Sequence, residues 1–233
     1  MQLFEKGYFQ LSDPVSKFLP EFKNQEIYVS GSFPNFITEP VRSPMIIRDL
    51  LTHTSGLSYS INFQSHVDDA YRKIFQISDP TKALVSDEKV DLEEFTKRIA
   101  SLPLEFNPGD QWLYSVSIDI CARLIEVISG KSIEDYFQEN IFDPLGMEDT
   151  GFFVKEENLK NLAACYFRDE NKKLHVHDPG AKESRYAKPR EFNGGGSGLI
   201  STSFDYFKFL QMLLNGGTYN GNRILSRKTI ELM

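Results

Sequence analysis

Apolar runs in this 233-residue chain are short, and that limits what it can build. None approaches the roughly 18 residues of a membrane-spanning helix, because charges or turn residues cut each candidate, such as "ICARLIEVISG" ending at Gly130. No membrane span is expected. The chain must instead pack many short elements, and 40% hydrophobic residues with 13% aromatics are ample for a buried core. The net charge of -7 comes from 33 acidic and 26 basic residues scattered along the chain. No Lys/Arg run tracks a phosphate backbone, so nucleic acid is not an expected partner. Cys121 and Cys165 lie far apart outside any C-x-x-C pattern, so neither a disulfide framework nor a zinc site is indicated. Both read as small core residues.

Start and stop signals divide the chain into elements. "MQLFEKG" reads as the last turns of a helix closed by Gly7. Ser12 or Asp13 before Pro14 reads as an N-cap for a short helix "VSKFL". "EIYVSGSFPNFIT" suits strand pieces. Ser43 and Pro44 predict the start of a helix with Ile46, Ile47, Leu50 and Leu51 on one side. Asp91 and Glu94 form a capping-box pattern ahead of Leu92, Phe95 and Ile99. A helix is predicted from about Ser117 to Ile128, with Ile118, Cys121, Leu124, Ile125 and Ile128 as its apolar stripe and Gly130 as its stop. Ser132 with Asp135 starts another.

The apolar residues of "IFDPLGMEDTGFF" are expected to tuck into a core, residues 160–192 to carry a β-hairpin around "DENKK", and "NGGGSGLISTS" to feed an amphipathic helix. That helix carries Phe204, Phe207, Leu210, Met212, Leu213 and Leu214 as its apolar residues. The content predicts a helix-rich α+β fold. The N-terminus shows no basic region followed by an apolar one, so no signal peptide is expected in these residues. "NRILSRKTIELM" stops inside a helix-like pattern, and both ends read as internal to a longer polypeptide.

Several motif-like stretches fail on spacing. "SGKS" at 129–132 lacks the earlier glycine of a phosphate-binding loop, since position 125 is Ile. "GGGSG" at 194–198 lacks dinucleotide-binding spacing, and close backbone approach to a neighbouring element or a ligand explains it better. "LHVHD" puts His175 and His177 on one strand face, which is able to hold a metal but lacks a third ligand. No metal and no cofactor are expected. In "HTSGL", Thr54 stands where a nucleophile elbow needs glycine, so Ser55 reads as a cap for backbone groups. The literal S-x-x-K "SDEK", Ser86 to Lys89, lies in a polar stretch rather than at the start of a buried helix.

"PGDQWLYSVSID", residues 108–119, places Tyr114 between Trp112 and two serines just before a helix. Together with "LLTHTSGL", "SGKSIEDYFQENIFDPLGMEDT" and "GGGSGLISTSFDYFKFLQMLLNGG", it resembles the serine β-lactamase and penicillin-binding protein superfamily. The likeness is strongest to the class C-like branch that includes the family VIII carboxylesterases, and it covers nearly the whole chain as a single domain, residues 1–233. The resemblance implies a helical region beside an antiparallel sheet built from both chain ends, with much of that sheet outside these residues. It also implies a serine acyl hydrolase that forms an acyl-enzyme, and Tyr114 matches the family's catalytic tyrosine. Trp112, Ser115, Val116 and Gly195 are then expected to line a pocket for a small-molecule ester or amide. The S-x-x-K nucleophile would lie before Met1 and the third motif after Met233.

Val116 stands where the strict Y-x-N pattern has Asn. It cannot donate an amide hydrogen bond, which favours esters over β-lactams or peptides. The competing reading is a relative that has lost catalysis and only binds a ligand. A free phenol has a pKa of about 10, so full ionisation near pH 7 needs a shift of about 3 units, or roughly 4 kcal/mol. One lysine ammonium at about 4 Å supplies a similar amount at an effective dielectric near 20.

Overall fold

The structure is a computed structural model that describes residues 1–60, 65–77 and 90–233. The "SDEK" stretch lies outside the described residues. The chain divides into two compact units, Met1–Ile133 with Glu191–Ser197, and Glu134–Arg190 with Gly198–Met233.

The first unit opens with helix α1, Gln2–Glu5, and Gly7 follows at φ +77°, as its closing role requires. The next turn, Val15–Lys17, is a 3-10 helix whose N-cap is Pro14, so neither Ser12 nor Asp13 caps it. The Asp13 carboxylate instead accepts the Gln10 N–H at 2.9 Å and pairs with Lys17 at 2.8 Å. Strands β1, Glu26–Ser32, and β2, Asn35–Pro40, pair antiparallel.

Helix α2 spans only Ile47–Leu51, later than its Ser43–Pro44 signal suggested. Competing backbone bonds delay it: Ile47 and Arg48 donate to the carbonyls of Asp13 and Leu11, while the Asp49 carboxylate accepts Ile46 N–H at 3.0 Å. Helix α3 covers His66–Ile74, and α4 covers Leu92–Ala100. Asp91 caps α4 by accepting Glu94 N–H at 2.8 Å, whereas the Glu94 carboxylate pairs with Arg98.

Helix α5, Ser117–Ser129, ends at Gly130 in the left-handed region at φ +70°. Its most buried apolar residues are Ile120, Ala122 and Leu124, so of the expected stripe only Leu124 reaches full burial. Cys121, Ile125 and Ile128 line a shallow apolar cleft with Leu3 and Phe9. The core of this unit joins Val15, Leu50, Leu57, Phe75, Phe95, Ile99 and Leu104 to Ile120, with Phe75 and Phe95 stacked at 5.2 Å.

Helix α6, Ile133–Phe137, leads the chain into the second unit. A π-helical stretch, Gln138–Phe142, carries it into α7, Asp143–Leu145, which Gly146 closes. Phe142, Leu145, Met147 and Phe152 are buried, as expected of the turn-rich connection. The hairpin around "DENKK" pairs β3, Cys165–Arg168, with β4, Leu174–Asp178. Cys165 is exposed rather than in a core, because β3 lies open to solvent along its length. His175 bonds Asp169 at 2.8 Å, and both hairpin histidines pack their rings on Phe167.

Helix α8, Ser203–Leu214, is followed by the short pair β5, Thr218–Tyr219, and β6, Asn222–Arg223, and by α9, Arg227–Leu232. Of the six apolar residues expected to form the α8 face only Met212 is buried, and Phe204, Phe207, Leu210 and Leu214 are exposed. Helices interspersed with short antiparallel pairs make this an α+β architecture, as the sequence predicts.

Candidate active site around Tyr114

Two loops of the first unit build the site by trading backbone hydrogen bonds. Gly109 N–H donates to Thr54 O at 2.8 Å, Leu113 N–H to His53 O at 2.9 Å, and Val116 N–H to Ser58 O at 3.1 Å. These bonds pin residues 109–116 along residues 53–58 and set which side chains face outward. Tyr114 is 43% exposed and Trp112 67%, whereas Ser115, Val116 and Ser117 are buried. The Tyr114 ring lies 4.9 Å from the His53 imidazole and 5.3 Å from the Tyr59 ring. Trp112 meets the same imidazole edge-on at 6.3 Å. The phenol therefore sits on an aromatic bed with one side open, not sealed in an apolar core.

The serines nearby turn inward. Ser115 Oγ lies 2.7 Å from Ser117 Oγ, which lies 2.7 Å from Ser55 Oγ. Ser55 accepts Leu57 N–H at 3.2 Å, the backbone-capping role expected of it. None of these buried hydroxyls is placed to attack a bound carbonyl.

The glycine run packs against the first turn of α5. A Cβ on Gly195 would lie 2.2 Å from Ile118 O, and one on Gly194 2.6 Å from Asp119 Oδ1, so only glycine fits this approach. Gly196 N–H donates to Asp119 Oδ1 at 3.0 Å. Burial pushes the Asp119 carboxyl above the usual range, and the Gly196 and Gly195 N–H groups oppose the shift. Burial also raises the Tyr59 phenol, helped by Asp119.

The chain matches the Beta-lactamase family over residues 1–233. It belongs to the beta-lactamase family. Protein Rv1367c of Mycobacterium tuberculosis is 33% identical to this family member over 233 residues, all of this chain and 54% of the relative. The lovastatin esterase of Penicillium rubens is 28% identical over 225 residues, 92% of this chain and 51% of the relative. Simvastatin synthase (LovD) of Aspergillus terreus superposes with a TM-score of 0.73 at 26% identity, covering 100% of this chain and 53% of that one. Other relatives are named as acyltransferases. The chain spans about half the length of the curated relatives it matches.

In this beta-lactamase family member, the residues expected at the pocket separate into two groups. Tyr114 and Trp112 present exposed surface. Ser115 and Val116 do not, because the extended backbone that turns Tyr114 outward feeds them into the start of α5, where Val116 is only 1% exposed. Gly195 serves helix contact through Ile118. Three neighbours went unread in the sequence: His53, Tyr59 and Asp119. The signals were present, since His53 adjoins the Ser55 turn and Asp119 closes "YSVSID", but neither pairing is local. Among the described residues no group of three or more His, Cys, Asp or Glu is gathered to hold a metal.

Proposed function

We propose that the protein to which these residues belong is a serine acyl hydrolase acting on esters, with Tyr114 as an acid–base group. In this reading a serine attacks the ester carbonyl, and Tyr114 and a lysine share its proton. The acyl-enzyme forms as the ester C–O bond breaks and the alcohol departs with that proton, and water then cleaves the acyl-serine bond to release the acid and return the proton to the serine. By the family pattern, the serine and lysine come from an S-x-x-K element before Met1. The observation that carries the reading is the open phenol on the family's tyrosine segment, held by backbone bonds to residues 53–58. The esterase among the relatives supports an ester substrate. Buried Val116 gives a ligand neither a donor nor a surface, in keeping with a site that makes no amide contact at that position. The relatives named as acyltransferases favour a second outcome of the same acyl-enzyme, transfer to an alcohol in place of water.

The test uses the full-length protein with short-chain nitrophenyl esters and a cephalosporin. Ester turnover is expected to be faster, and Tyr114→Phe to lower kcat by about 100-fold or more. Faster cephalosporin turnover would refute the ester assignment. Undiminished turnover by the Phe variant would remove Tyr114 from the chemistry.

A further inference from the structure

Buried hydroxyls have few places to put their protons, and that decides the state of His53. Ser55, Ser117 and Ser115 form a buried line of Oγ atoms that ends at His53 Nδ1, 3.2 Å from Ser115 Oγ. At its inner end Ser55 already accepts Leu57 N–H, so Ser117 Oγ is the acceptor left for its proton among the described residues. Ser117 must then donate to Ser115, and Ser115 to Nδ1. The Ser115 backbone N–H also points at Nδ1, at 3.3 Å. Two donors therefore converge on one ring nitrogen. A proton there would oppose the Ser115 N–H and reverse every hydroxyl, stranding the Ser55 proton without an acceptor.

The surroundings agree. His53 adopts φ +55°, a region uncommon outside glycine but several-fold enriched in His, and its carbonyl anchors Leu113. Burial lowers the imidazole pKa below its ordinary value. The titratable groups around it are Tyr114 in ring contact and Tyr59 beyond. Asp49 on α2 is occupied by Ile46 N–H and Thr54, and Asp119 on α5 by Gly196.

We propose that His53 is a positioning residue for Tyr114, fixed as the neutral Nε2–H tautomer by the Ser55–Ser117–Ser115 chain and lending the phenol no positive charge. Its functional meaning rests on the acid–base reading of Tyr114, but its protonation state does not. Any cation that activates Tyr114 must then come from elsewhere. Nε2 has no protein partner among the described residues, which leaves its N–H for solvent or an acceptor oxygen of a ligand.

Long-range proton–nitrogen NMR spectra of the 15N-labelled chain test the assignment. Expected are a lone-pair shift for His53 Nδ1 and a protonated shift for Nε2 at pH 7. Trp112 is the single tryptophan, so quenching of its emission by a cationic imidazole reports protonation, expected only at pH values below the ordinary imidazole range because burial disfavours the cation. An Nδ1–H tautomer or an imidazolium at pH 7 overturns the proposal. His53→Asn places an oxygen at the Nδ1 position and tolerates the left-handed backbone, so it should keep the Tyr114 ring shifts and Trp112 emission that His53→Ala changes. Identical spectra for the Ala variant and the unaltered chain would overturn the positioning role. The tautomer should persist in Tyr114→Phe, so loss of the acid–base reading would leave it standing.

Discussion

Helices α5 and α8 have nearly the same length, 13 and 12 residues, and both show helical apolar spacing, yet they are held by different physics. In α5, Ile120, Ala122 and Leu124 are buried, and apolar packing secures the helix. In α8, Phe204 is 66% and Leu214 80% exposed, and the anchor is polar. Asp205, buried in the first turn, accepts Asp149 N–H at 2.8 Å and Thr150 Oγ1 at 3.0 Å and pairs with Lys208 at 2.9 Å. Thr202 caps the helix through Asp205 N–H. Periodicity thus reports that a helix has an apolar side, not that anything covers it.

The contrast breaks most readily at Asp205. Asp205→Ala removes the acceptor of Asp149 N–H and leaves Lys208 and Thr150 with only Gly146 O and Ser201 Oγ, and it is expected to cost about 4 kcal/mol, read from urea unfolding followed by circular dichroism. A loss below about 1 kcal/mol would mean that α8 is held by something other than this hub. Ile120→Ala in α5 should cost about 3 kcal/mol through cavity formation, with Trp112 emission reporting the first unit. The smallest effect is expected at Leu214→Ala, within about 0.5 kcal/mol of the unaltered chain. A cost there comparable to that at Ile120 would show α8's apolar side to be covered in solution and erase the distinction.

The two loops of the Tyr114 site show where sequence reading stops. "PGDQWLYS" marked the tyrosine and the helix after it, and both are where the pattern put them. The same pattern points to Ser115 and Val116 as pocket residues, but both are buried: Ser115 lies on the inner side of the extended segment opposite Tyr114, and Val116 turns out of that extension as the N-cap of α5, its N–H on Ser58 O. The glycine run implies a close backbone approach, and its partners are Ile118 and Asp119, more than 70 residues earlier in the chain.

What the amino-acid order determined by itself was local and familial: the stops at Gly7 and Gly130, the Asp91 cap, the hairpin at "DENKK" and membership of the beta-lactamase family. Caps and tight turns satisfy backbone groups within a few residues, so their chemistry is written in short stretches. Only the tertiary structure decided that Ser115 meets His53 across 62 positions, that Asp119 takes the glycine-loop N–H, and that the Tyr114 ring stays open on one side. Those outcomes depend on which distant donors and acceptors the fold brings within about 3 Å of each other, and no local pattern encodes that distance.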